Sequence, residues 1–471
     1  MQKLAVYIIA TATLLLAQQM LYSHNLGQTS VADTSTVDTS LDEKMPSADP
    51  DVLGIFRLLV LERDSKQRRA AMEILRKDWS DAYIPPLLDI LRLSNNDQLL
   101  KDIEDLLKDK TGVRKRGYIS WLEWLWEQDP VYDSTYVEFK GFIHSFIDDR
   151  FQNYFEGRHN TSKIRVDEIM WGGVIQDGIP PLRNPLHISA EEADYLSDSD
   201  IVFGVAINGE VKAYPKRILA WHEFFIDNFG EDVIAGVYCT LCGTVIAYDS
   251  KDFNLGTSGF LYKSNKLMYD QATQSLWNTV EGKPVLGPLS GENIALESHS
   301  VVTTTWGEWK KQHPETLVLS LNTGHQRDYG EGVAYQSYFG SDQLMFPVPL
   351  SDSRLKNKAE VFIPRVKGYK EDPLAIAVSH LKRKKLVQVS VANTDLVVIA
   401  EKSGASRAYE RKGHKFSKYK NGILKDSNET VWQVTEEFLI GPNGEQLKRL
   451  PSHNIFWFSW YNTYPETRLL Y

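Results

Sequence analysis

Trp309-Lys-Lys-Gln-His-Pro-Glu-Thr316 returns later in the chain as Trp460-Tyr-Asn-Thr-Tyr-Pro-Glu-Thr467. Three more anchors precede each copy in the same order. Asp270-Gln-Ala-Thr-Gln-Ser-Leu-Trp277 answers to Asp426-Ser-Asn-Glu-Thr-Val-Trp432, Gly287-Pro288 to Gly441-Pro442, and Ser298-His299 to Ser452-His453. An internal repeat obliges whatever one copy folds into to recur in the other. We therefore expect a β-rich unit of two related tandem modules, a first over 163–357 and a second over 358–471. Short β-branched runs broken by Gly, Pro, Asp and Asn mark its strands, among them 201–207, 233–238, 244–248, 386–391 and 396–400.

The repeat also separates scaffold from chemistry. The chain has two cysteines, Cys239 and Cys242, and both lie in the first copy, in Val-Tyr-Cys-Thr-Leu-Cys-Gly-Thr-Val-Ile-Ala-Tyr. Cys239 aligns with Asn393 and Cys242 falls near Leu396. The spacing suits a chelated soft metal or a redox-active thiol pair. The run after Cys242 reads as a strand, not as the helix that stabilises a thiolate in thioredoxin-type sites, so the expected geometry is a strand-turn-strand knuckle. Two thiolates make half of a tetrahedral site. His222, expected at the end of a short helix beside the knuckle, is the first candidate for a third ligand, and Met268 for a fourth. A thioether would favour copper, and a carboxylate or water would suit zinc. His299 ranks lower, since His453 matches it in the copy without cysteines. The alternative for His222 is a buried histidine bonded to a backbone carbonyl, for Met268 a core filler, and for the cysteines a structural disulfide. Glu223, Asp249 and Asp270 are nearby acids with the chemistry of a general base, or of turn caps.

Upstream, residues 51–155 carry apolar positions at three- and four-residue spacings, such as Leu99, Leu100, Ile103, Leu106 and Leu107. They read as a helical, HEAT-like domain of the kind that binds a protein partner. Before it, residues 1–23 read as a signal peptide or N-terminal anchor and 24–50 as a polar, disordered tether. The protein is thus expected outside the cytoplasm: secreted, periplasmic, or held at the membrane only through an uncleaved anchor. A net charge of −9 argues against nucleic acid as a partner.

Several stretches together resemble a known family. Trp171-Gly-Gly-Val-Ile-Gln-Asp-Gly-Ile-Pro-Pro-Leu-Arg-Asn-Pro185, Lys212-Ala-Tyr-Pro215, Leu219-Ala-Trp-His-Glu223, the cysteine stretch, Leu267-Met-Tyr-Asp270, Ser275-Leu-Trp277 and Phe346-Pro-Val348 look like the bacterial and archaeal domain of unknown function 3179. The likeness covers about 163–471 and implies no activity, substrate or cofactor. The overall expectation is an α+β chain with three open functional readings. The leading one is an extracytoplasmic protein binding copper or zinc through Cys239, Cys242, His222 and Met268. The others are a thiol-disulfide oxidoreductase using Cys239 and Cys242, and a non-enzymatic surface scaffold for a protein or glycan.

Overall fold

The computed structural model describes residues 51–130, 132, 134–158 and 161–471. The signal and tether read in 1–50 lie outside the described residues. The fold is α+β, a helical region followed by a β-rich one.

Helices Val52–Leu61, Ser65–Lys77, Ile84–Leu93, Asp97–Thr111, Tyr118–Trp126 and Ser134–Ser145 form the N-terminal part. Side chains of Asp51, Asp64 and Asn96 accept backbone N–H groups at three of the N-termini, and Gly112, at φ 71°, closes Asp97–Thr111. Most of the apolar positions legible in the sequence face one core that includes Phe56, Leu59, Leu75, Leu87, Ile90, Ile103, Leu106, Trp121 and Phe139. One charge pair crosses it: Lys140 Nζ lies 3.2 Å from Asp89 Oδ2 and 3.1 Å from the Tyr136 hydroxyl. The other face of this region docks on the β part, where Tyr136, Phe151, Tyr154 and Phe155 pack with Ile169, Phe260, Leu267 and Tyr269.

Two sheets in the β-rich region share a strand order. In one, Val302–Thr305, Ile201–Ile207, Glu210–Pro215 and Leu317–Leu319 lie side by side, with His187–Ser189 added at the edge. The other runs Ser452–Phe456, Glu360–Pro364, Leu374–Ala377 and Arg468–Leu470. In both, the first three strands are antiparallel and the fourth is parallel to the third, with Leu317 opposite Lys212 and Arg468 opposite Leu374. A short helix, Trp306–Gln312 or Trp457–Thr463, links the first strand to the fourth. Each buries two indoles, and the second bonds a threonine: Trp309 Nε1 donates to Thr316 Oγ1 at 3.0 Å, and Trp460 Nε1 to Thr467 Oγ1 at 2.9 Å. The recurring Pro-Glu-Thr turn therefore supplies the hydrogen-bond partner of Trp309 and of Trp460. Asp270 and Asp426 likewise accept from Trp277 and Trp432 and from the backbone of their own turns, so these aspartates are turn anchors.

Helix Lys216–His222 delivers the chain into a sheet ordered Ser298–His299, Thr244–Asp249, Asp232–Cys239, Phe224–Phe229 and Leu182–Arg183. Gly236 faces Phe225 across it, and a Cβ there would fall 1.9 Å from the ring. The strand Ser452–Phe456 of the second sheet meets the cysteine turn, where Phe456 N–H donates to the Cys242 carbonyl at 2.8 Å.

Candidate functional site

Strands Asp232–Cys239 and Thr244–Asp249 form an antiparallel hairpin whose last pair is Cys239 with Thr244. The β-branched and aromatic run after Cys242 makes the second strand, as its composition requires. The turn closes through Cys242 N–H to the Cys239 carbonyl at 3.1 Å, with Gly243 at φ 60°. That glycine is needed twice over: its φ is left-handed, and a Cβ would meet the Phe456 ring at 2.5 Å. Cys239 and Cys242 are joined as a disulfide. Both are buried, among Leu241, Leu261, Tyr338, Ile455, Phe456 and Trp457. The Tyr338 hydroxyl donates to the Leu241 carbonyl inside the turn at 2.7 Å.

A buried ion pair lies next to the turn. Glu223 caps helix Lys216–His222 at φ 51°, a left-handed position where glycine or asparagine is usual. Its carboxylate accepts from Thr240 Oγ1, between the two cysteines, at 2.7 Å, and stands 2.5 Å from Lys266 Nζ. Burial pushes the Lys266 ammonium below its usual range against the pull of Glu223. Tyr335, itself at φ 60°, also bonds Glu223. Two strained backbone positions converging on one carboxylate mark a place that the fold holds against local preference.

His222 points elsewhere. Its Nδ1 lies 2.9 Å from the Pro180 carbonyl, which can only accept, so Nδ1 carries the proton. Nε2 is then the acceptor for the Tyr329 hydroxyl at 2.6 Å, and that oxygen is 2.6 Å from Thr323 Oγ1. Burial holds the His222 imidazole neutral, its pKa lowered to about 4. Met268 sits in a different apolar cluster, paired across strands with Trp277 and packed with Phe224, Val237 and Ile246. Trp277 packs with Met268 and Phe253. His299 pairs in register with Ala247, on the strand leading away from the turn. Asp249 accepts from Lys251 N–H.

The structure thus brings Cys239 to Cys242 and spends both His222 nitrogens on other partners. Among the described residues, no group of three or more His, Cys, Asp or Glu side chains is placed to hold a metal ion, and no helix is long and apolar enough to cross a membrane.

A family model matches residues 176–467, a span that takes in the cysteine turn, the whole of the first of the two sheets of shared strand order, all but the last strand of the second, and both tryptophan-bearing helices. The chain belongs to DUF3179, a protein family of unknown function. No curated protein and no solved structure matches the chain. The helical region 52–155 lies outside the matched span.

Sequence reasoning missed three contributors to the cysteine surroundings: Lys266, Asn265 and Ser459. Asn265 Oδ1 lies 2.9 Å from Cys242 Sγ and accepts from Ser459 Oγ. A cleft of about 510 Å³ opens beside His222, lined by Arg217, His325, Arg327 and Tyr329 among others, and none of its lining residues is a cysteine.

Proposed function

We propose that this is an extracytoplasmic thiol-disulfide redox protein whose working pair is Cys239 and Cys242. The observation that carries the reading is the closure of the two sulfurs across a turn of four residues inside a hairpin that is already hydrogen-bonded up to Cys239 and Thr244. Linking residues so close together constrains the unfolded chain by only about 2 kcal/mol in the loop-entropy picture, and the hairpin has already closed most of that loop. A staple there contributes little, whereas a reversible pair next to a buried acid and amine has chemical use. Tyr335, Tyr338 and Phe339 pack over the turn, so exchange requires that segment to lift. The signal-like and tether-like composition of 1–50 supports the oxidising compartment, and the shared strand order of the two sheets supports two related modules. The helical region remains our candidate for holding a protein partner.

Equilibration of the purified protein with glutathione buffers, read by counting thiols, tests the proposal. The expected reduction potential lies between about −120 and −270 mV, the range of working thiol-disulfide proteins, while a value below about −300 mV would mark an inert bridge. Elemental analysis of the reduced protein runs alongside. Stoichiometric copper or zinc that disappears in Cys239→Ser would replace this proposal with a metal site formed by Cys239 and Cys242, which His222 could join only by giving up Pro180 or Tyr329.

A further inference from the structure

Cys242 Sγ faces two oxygens, Asn265 Oδ1 at 2.9 Å and the Ser264 carbonyl at 3.8 Å. The orientation of the Asn265 amide is fixed by its neighbours: Nδ2 donates to the Lys263 carbonyl at 3.2 Å, and Oδ1 accepts from the Ser459 hydroxyl. Turning the amide over would set its oxygen against the Lys263 carbonyl, two acceptors in contact. So an acceptor, not a donor, is aimed at Cys242. In the disulfide that sulfur has no hydrogen, and the contact is lone pair against lone pair. As a thiol, Cys242 would donate into it. Cys239 Sγ has no such oxygen partner among the described residues, and its neighbour Thr240 is tied to the Glu223–Lys266 pair.

From this asymmetry we infer that, within the redox function proposed above, Asn265 and Ser459 are positioning residues that hold Cys242 as the buried, protonated thiol of the reduced state and leave Cys239 as the sulfur that exchanges with a partner dithiol. A dithiol ionises at one sulfur and attacks Cys239 Sγ. The Cys239–Cys242 bond breaks, its electron pair passes to Cys242 Sγ, and Cys242 takes up the released proton and donates it toward Asn265 Oδ1. The second thiol of the partner then displaces Cys239, which leaves as thiolate and is protonated. The partner departs as a disulfide, two electrons and two protons lighter, and the protein is a dithiol. Ser459 lies on helix Trp457–Thr463 of the sequence copy that has no cysteines, so that copy contributes to the chemistry of the other.

The test uses the full chain with glutathione as the redox probe and iodoacetamide as the thiol probe. Asn265→Leu removes the acceptor at similar volume and is expected to lower the reduction equilibrium constant about tenfold, a shift of about 30 mV toward more negative potential. Ser459→Ala should move it the same way by less, and Asn265→Asp, which keeps an acceptor oxygen, should restore it. In single-cysteine variants, Cys239 of Cys242→Ser should alkylate at lower pH than Cys242 of Cys239→Ser. Thermal unfolding of each variant reports on folding, and Ser459→Ala carries the test if Asn265→Leu does not fold. An unchanged constant in both variants, or equal pH profiles for the two cysteines, overturns this assignment while leaving the redox reading in place. A wild-type pair that resists reduction overturns both.

Discussion

Replacing His222 by glutamine should flatten the loss of stability in acid. The imidazole ionises near 4 in the folded protein, against 6.5 when unburied. Between those two values the unfolded chain binds a proton that the folded chain refuses, so stability rises with pH there and is lost as pH falls from about 6.5 toward 4. At pH 5 this linkage costs about 2 kcal/mol, and at pH 7 almost nothing. The structural cause is definite: Nδ1 is committed to the Pro180 carbonyl, and Nε2 accepts from Tyr329, so a second proton would arrive where a donor already points. His313, also lowered to about 4, and His144 and His453, pushed well below the usual range by burial, add their own acid sensitivity. The comparison must therefore be wild type against His222→Gln. Urea unfolding at pH 7 and pH 5 should show a decrement smaller by about 2 kcal/mol in the variant. Equal decrements would mean that His222 is charged or exposed in solution, and the hydrogen-bond chain to Tyr329 and Thr323 would be wrong.

Tyr338→Phe deletes the hydroxyl that ties the covering segment to the Leu241 carbonyl. The loss of about 1 kcal/mol should speed reduction by dithiothreitol about fivefold, and an unchanged rate would show that the segment does not gate the pair. Gly236→Ala forces a Cβ into the Phe225 ring and should lower stability by about 3 kcal/mol or more; a near-neutral effect in chemical denaturation would contradict the strand register. Lys140→Met strands Asp89 in the helical core and should cost about 3–5 kcal/mol, most of it recovered when Asp89→Leu is added. Failure of the double variant to recover would show that the pair is held by more than its own charge.

Much of the fold was legible because its signals are periodic or local. Leu99, Ile103, Leu106 and Leu107 lie on one buried helical stripe, and the β-branched run after Cys242 is the second strand of a hairpin. Trp309 and Trp460, matched by sequence, make the same bond to a threonine seven residues on. The candidate site was legible only in part. Two adjacent residues, His222 and Glu223, were both candidates, and nothing in their spacing says that the left-handed turn at Glu223 sends its carboxylate to Thr240 while the imidazole goes to Tyr329. Asn265 meets Ser459 across 194 positions of sequence, a distance at which no pattern in a single chain reports contact.

The segment 452–463, from the second copy of the sequence repeat, packs against the cysteine turn. Its strand Ser452–Phe456 ends against the cysteine turn, with Phe456 closing over Gly243 and hydrogen-bonded to Cys242. Its helix Trp457–Thr463 then places Ser459 on Asn265. In the other sheet the matching strand and helix, Val302–Thr305 and Trp306–Gln312, take another direction of contact: His313, at the end of that helix, reaches Glu436, which also binds Arg407 and Arg449. The two matching helices thus reach across to the other sequence copy, through an ion-pair cluster in one case and through the acceptor beside Cys242 in the other. A change in the oxidation state of the cysteines would alter this contact, since Cys242 Sγ lies against an oxygen held by Ser459 and would gain a hydrogen to donate to it on reduction. On this geometry reduction should tighten the contact between the cysteine turn and helix Trp457–Thr463, and oxidation should loosen it.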